Sequence, residues 1–104
     1  MPKLVRPSDQ PPQLDDYISV FGNRARMTII KFLQENGPSL RNEICTGTDM
    51  ANPTLGTHLV ELERIGVISG DLPQDMRRGR TVRYGVEVKK ISELMTAAQI
   101  YIFS

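Results

Sequence analysis

The sequence predicts a mainly α domain carrying one small β-hairpin, an α+β chain. Three observations carry this reading. Apolar residues recur at helical spacing in four successive segments up to Ile65. The period then changes to two, with Val82, Tyr84, Val86 and Val88 alternating against Thr81, Arg83, Gly85 and Glu87. The closing stretch VKKISELMTAAQIYIFS returns to helical spacing.

Each element follows from its residues. Residues 1–12 hold Pro2, Pro7, Pro11 and Pro12 and read as a flexible arm bearing Lys3 and Arg6. Residues 13–104 read as one domain. Leu14, Tyr17, Ile18 and Phe21 mark a short helix that Gly22 and Asn23 break. Asn23 caps a second helix with Ala25, Met27, Ile29, Ile30, Phe32 and Leu33 on a wide stripe, and Asn36-Gly37-Pro38 stops it. Ser39 is the expected cap of a third, short helix that closes at Gly47, with Leu40, Ile44 and Cys45 facing inward. Asn52 as cap and Pro53 as first helical residue open a fourth helix. Its Leu55, Leu59, Leu62 and Ile65 form one buried stripe, and Gly66 ends it. Val67-Ile68 and residues 81–88 are the two strands, and GDLPQDMRRGR between them makes a long basic tip.

Composition bounds the function without choosing it. The chain has 104 residues, 39% hydrophobic and 24% charged, which is an ordinary globular balance for one domain. Net charge is +1, so any nucleic-acid partner must be recognised by how charge is placed, not by its sum. One cysteine, Cys45, forbids an intramolecular disulfide and fits a reducing compartment. No apolar run approaches a membrane span of about 20 residues, and MPKLVRPSDQPPQ has no signal-type apolar core. A cytoplasmic protein without membrane attachment is expected.

Helices followed by a hairpin follow the winged helix-turn-helix order, in which the second helix of the motif enters a DNA major groove and the hairpin, or wing, reaches the backbone or a minor groove. The pieces FGNRARMTIIKFLQENGP, SLRNEI, NPTLGTHLVELERIGVIS and RRGRTVRYGV stand in that order across residues 15–88. In them the chain resembles the ArsR type of winged-helix transcriptional regulators, with MarR-like regulators sharing the pattern. The resemblance implies double-stranded DNA as partner, a homodimer, and promoter occlusion as a repressor's mechanism. A winged-helix protein-interaction or architectural module without specific readout is the alternative that the near-neutral charge keeps open.

Rotation of 100° per residue from a core-facing Leu55 puts Pro53, Thr57, Val60 and Arg64 on the far side of the fourth helix, flanked by Thr54, Gly56 and Glu61. Pro53, Thr54, Gly56 and Thr57, near the N-terminus, are the expected base-facing residues. They are small and offer no bidentate arginine–guanine contact, which shifts weight to the wing and to DNA shape. His58, at the edge of the stripe, either donates to a phosphate or is a satisfied half-buried side chain. On the wing, Arg77, Arg78 and Arg80 surround Gly79. Arginine forks match phosphate and narrow minor grooves, and glycine lets the backbone turn. Arg83 is expected either at DNA or paired with Glu87 or Asp71. Ser39 and Arg41, opening the third helix, are expected at the DNA backbone.

The terminal helices are the expected dimer interface: Leu14, Tyr17 and Ile18 from the first, and Ile91, Leu94, Met95, Ala98, Tyr101 and Ile102 from the last. No cofactor and no metal are expected, because Cys45 and His58 lack the companions that a soft-metal site needs. No nucleophile elbow, phosphate-binding glycine loop or metal motif is present, so no enzyme is expected.

Overall fold

A computed structural model describes Pro7 and residues 9–104. Lys3 and Arg6, and with them most of the expected arm, lie outside the described residues. The elements are α1 (Pro12–Phe21), α2 (Arg24–Asn36), β1 (Ser39–Leu40), α3 (Arg41–Thr48), α4 (Asn52–Ile65), β2 (Ile68–Gly70), β3 (Arg83–Val86) and α5 (Val88–Phe103). One 3-10 turn, Gln74–Met76, interrupts the connection between β2 and β3. The fold is the winged helix-turn-helix, with α3 and α4 as the motif and β2–β3 as the wing.

The apolar stripe of α4 anchors everything else. Leu55, Leu59, Leu62 and Ile65 are buried and pack with Val20, Ile29, Leu33, Ile44, Val67, Ile68, Tyr84 and Leu94 into one core. Each such aliphatic side chain contributes about 1.5–3 kcal/mol by leaving water. Because that stripe is fixed inward, the opposite face of α4 is fixed outward.

Local chemistry sets the helix ends, with some corrections to the reading above. Asn23 caps α2 as expected, its Oδ1 accepting from the Arg26 amide at 3.0 Å. Ser39 does not cap α3. It is buried on β1, its hydroxyl donating to the Gly37 carbonyl at 2.8 Å. The cap residue is Leu40, whose amide donates to Glu43 Oε1 at 2.7 Å. The helix runs through Gly47 to Thr48 and turns at Asp49, which adopts φ 56°. A Cβ at Gly47 would collide with the Phe32 ring, so this glycine serves α2–α3 packing rather than helix termination. Ala51, not Asn52, is the N-cap of α4, and Pro53 lies in its first turn.

The sheet has a strand that periodicity did not disclose. β3 lies between β1 and β2, antiparallel to both, with Ser39 opposite Tyr84 and Ile68 opposite Val86. The alternation of β3 stops at Val86. Val88 is exposed and begins α5, whose first turn is closed by the Ile91 amide on the Glu87 carbonyl at 3.1 Å.

The expected dimer strip divides. Helix α1 packs against α5 within the protomer. Leu14, Leu94 and Ala98 are buried by that packing and by the core, so they do not form the protein's outer strip. Tyr17, Ile91 and Tyr101 are half-buried, with Tyr17 against Phe21 and the Tyr101 hydroxyl accepting from Gln10. Ile18, Met95 and Ile102 are exposed, and so are Ile100 and Phe103.

Candidate nucleic-acid interface

The outward face of α4 begins with Pro53, Thr54 and Thr57, all exposed, and continues to Val60, which is 69% exposed. The Thr57 hydroxyl donates back to the Pro53 carbonyl at 3.2 Å. That bond uses the hydroxyl proton, so the exposed side chain can offer only its methyl to a thymine methyl or a lone pair to a single donor. Arg64 is paired with Glu61, its Nε donating to both carboxylate oxygens, and lies 3.9 Å from Asp16.

Gly56 has a different position from the one expected. Arg41, from the start of α3, crosses to α4, donating through Nε to Asn52 Oδ1 at 2.6 Å and through Nη2 to the Asn52 carbonyl at 3.0 Å. Its guanidinium closes over Gly56, and a Cβ there would collide with Nη2. Gly56 therefore lies under Arg41 instead of facing outward. Asn52, expected as a cap, is instead the acceptor that aims this cation along the N-terminal turn of α4.

His58 is half-buried against α2. Its Nδ1 accepts from Arg26 Nε at 3.1 Å, while Arg26 Nη1 donates to the Ser19 carbonyl and hydroxyl on α1. Burial, and then the charge of Arg26, hold its imidazole below the usual range. Of its two ring nitrogens, Nδ1 is turned to Arg26.

The wing sorts its arginines into an inner and an outer set. Arg77 is inside, with its side chain 18% exposed. It donates to Glu63 Oε1 and Oε2 at 2.8 and 2.7 Å, and to the Leu72 carbonyl at 2.9 Å. The Arg77 hydrogen bonds hold the Glu63 carboxyl below the usual range, against the opposing effect of burial. Arg77, expected at DNA, is thus held by an internal carboxylate. Arg78 and Arg80 are exposed and have no hydrogen-bond or ion-pair partner among the described residues. They flank Gly79, whose φ of 70° suits a residue without Cβ, in a turn closed by the Arg80 amide on the Arg77 carbonyl at 2.9 Å. Arg83 stands on β3. Its amide, not its guanidinium, meets Asp71, at 3.0 Å. The guanidinium lies 3.8 Å from Glu43 on α3, and Glu87 instead takes the Ser69 hydroxyl.

Arg41, Arg77 and Arg80 line one cleft of about 470 Å³ between the start of α3 and the wing, together with Leu40, Val82 and Tyr84. The start of α3 and the wing tip thereby present exposed Arg41, Arg78 and Arg80 beside the small-residue face of α4. Sequence reasoning missed Asn52 as a positioning acceptor, Arg26 as the partner of His58, and Glu63. The Leu40–Glu43 spacing signals a cap in hindsight, but nothing local marks Glu63.

Among the described residues, no helix is long and apolar enough to cross a membrane. In the same residues no three His, Cys, Asp or Glu side chains gather as a metal site would require.

No protein-family model and no curated protein matches this sequence. Solved structures do match. The chain is similar to an ArsR family transcriptional regulator, with 25% identity, TM-score 0.65, and coverage of 88% of this chain and 84% of that one. It is similar to diamide-treated YodB from B. subtilis, with 20% identity, TM-score 0.66, and coverage of 91% and 92%. It is also similar to MepR from S. aureus, solved as a DNA complex, with 17% identity, TM-score 0.57, and coverage of 86% and 73%. The resemblance carried by the sequence pieces is thus matched by the path of most of the chain.

Proposed function

We propose that this protein binds double-stranded DNA as a homodimer and regulates transcription, repressing by occupying a promoter. The observation that carries the reading is the exposed N-terminal face of α4 together with Arg78 and Arg80 on the wing, which have no partner among the described residues, and with Arg41, which is bonded to the start of α4 and lines one cleft with Arg80. Helix N-terminal residues enter a major groove, and arginine forks take phosphate oxygens or a narrow minor groove. The regulators that share this fold, one of them solved on DNA, support the same reading.

The face of α4 offers Pro53, Thr54 and Thr57, so base discrimination is shallow and the phosphate term is large. The exposed Ile18, Met95, Ile100, Ile102 and Phe103 on α1 and α5 supply the apolar surface for a second copy. Two copies would place two α4 helices on successive major grooves, which is how a dimer reads a paired site.

Selection of bound fragments from a random duplex pool, followed by affinity measurement over a range of salt, tests this. The expected result is an enriched paired site whose affinity falls steeply with salt as counterions are released. A chain that binds no duplex at low salt overturns the reading.

A further inference from the structure

We infer that Arg77 is a positioning residue that locks the wing to the recognition helix through Glu63, and that it does not itself meet DNA. The inference rests on the DNA-binding reading and assigns a role within it.

Three of the five N–H donors of Arg77 are directed inward. Each terminal nitrogen donates to one Glu63 oxygen in a parallel fork, and Nε donates to the Leu72 carbonyl. The guanidinium stands over the Tyr84 ring at 5.8 Å from its centroid. It also fills the space beside Gly70, where a Cβ would collide with it. One side chain therefore holds α4, the end of β2, the wing loop and β3 together. Planar, bidentate pairing of this kind fixes angle as well as distance.

The consequence lies in the backbone of the same residue. The Arg77 carbonyl accepts the Arg80 amide that closes the tip turn. Arg78 and Arg80 are thus mounted on a turn whose first residue is bolted to α4. Both strands of the wing are short, Ile68–Gly70 and Arg83–Val86, and the connection between them is long. Without the Glu63 anchor, the tip arginines would sample many positions relative to α4, and binding would have to order them at an entropic cost.

Glu63→Gln is the decisive variant because the two possible roles of Arg77 give opposite signs. Removing a negative charge and freeing Arg77 strengthens DNA binding if Arg77 serves as a phosphate ligand in waiting. It weakens binding if Arg77 serves only as an anchor. We expect Glu63→Gln and Arg77→Gln each to lose about tenfold in duplex affinity at fixed salt, the scale of one lost charge-assisted bond. The slope of log affinity against log salt should stay that of the parent in both, since no phosphate contact is removed. Equal or tighter binding by Glu63→Gln, or a shallower slope in Arg77→Gln, overturns the inference.

Limited trypsin digestion, with cleavage after Arg78 or Arg80 identified by mass, gives a readout independent of DNA. Faster cut-off of the wing in Glu63→Gln, with the helical circular dichroism intact, is expected, and cleavage at the parental rate overturns the lock. Should a glutamine variant unfold, Arg77→Lys, which keeps the charge but not the fork, is read by the same two measurements. A parent that binds no duplex refutes the function while the digestion still decides the lock.

Discussion

Arg41 and Asn52 bridge the two helices of the motif: Nε of Arg41 reaches Asn52 Oδ1 at 2.6 Å, and Nη2 reaches the Asn52 carbonyl at 3.0 Å. This pair of hydrogen bonds to one residue spans the α3–α4 turn. It carries a cation across the N-terminal turn of α4, where helix amides and an arginine fork favour the same anion. The bridge requires the space that Gly56 leaves open.

Gly56→Ala displaces that bridge at little cost to the fold. Alanine gains about 1 kcal/mol of helix propensity over glycine, which offsets the loss of one exposed arginine arrangement. The expected outcome is a melting temperature near the parent's with duplex affinity reduced. Gly56→Gln should reduce it further. Parental affinity in both variants would mean that the position of Arg41 is not used.

The outer wing arginines should supply affinity without sequence choice. Arg78→Ala and Arg80→Ala should weaken binding to every duplex, and each should make the salt slope shallower by about 0.9 for its lost phosphate contact. Thermal stability should not move, because neither side chain has a partner among the described residues. An unchanged slope in the double variant would take the wing tip out of the interface.

Assembly and folding should separate along α1 and α5. Leu94 is fully buried, so Leu94→Ala should cost about 2–5 kcal/mol of stability in the chain itself. Ile18→Glu with Ile102→Glu lies on exposed positions and should leave each protomer folded. Sedimentation of the double variant should show monomers, with much weaker binding to a paired site. Dimers that persist in it would move the interface elsewhere.

Stability should fall as the pH drops through the imidazole range, with His58 as one cause. Burial and Arg26 oppose its protonation in the folded chain. Below about pH 6.5 the unfolded chain takes up a proton that the folded chain resists, so this contribution is present above that pH and lost beneath it. His58→Gln retains an acceptor for Arg26 and does not titrate. Its melting temperature should therefore decline less than the parent's between about pH 7.5 and 5.5. Parallel curves would show that the histidine is not linked to folding. Glu61 and Glu63, also held low, act only at more acid pH, where carboxylates titrate.

The sequence by itself determined the five helices, the two wing strands and their order, because those depend on neighbours a few positions away. Leu55, Leu59, Leu62 and Ile65 recur at one helical angle, so α4 and its outward face were legible before any coordinate. The alternation through Tyr84 and Val86 marked β3, and Gly79 among arginines marked the wing tip. Only the tertiary structure decided how those elements use their polar groups. Arg77 and Arg78 are adjacent and chemically identical, yet one meets a carboxylate 14 residues away while the other stays in solvent. His58 meets Arg26 across 32 residues, and two-residue β1 is a strand only because β3 lies beside it. Leu94 and Ala98 share a helical strip with exposed Met95 and Ile102, and only the packing of α1 on α5 selects which of them is covered. Periodicity fixes the direction in which a side chain points along its own element. What it meets is set by the chain fold, which brings distant segments within hydrogen-bond reach and lets burial decide which charges must be paired.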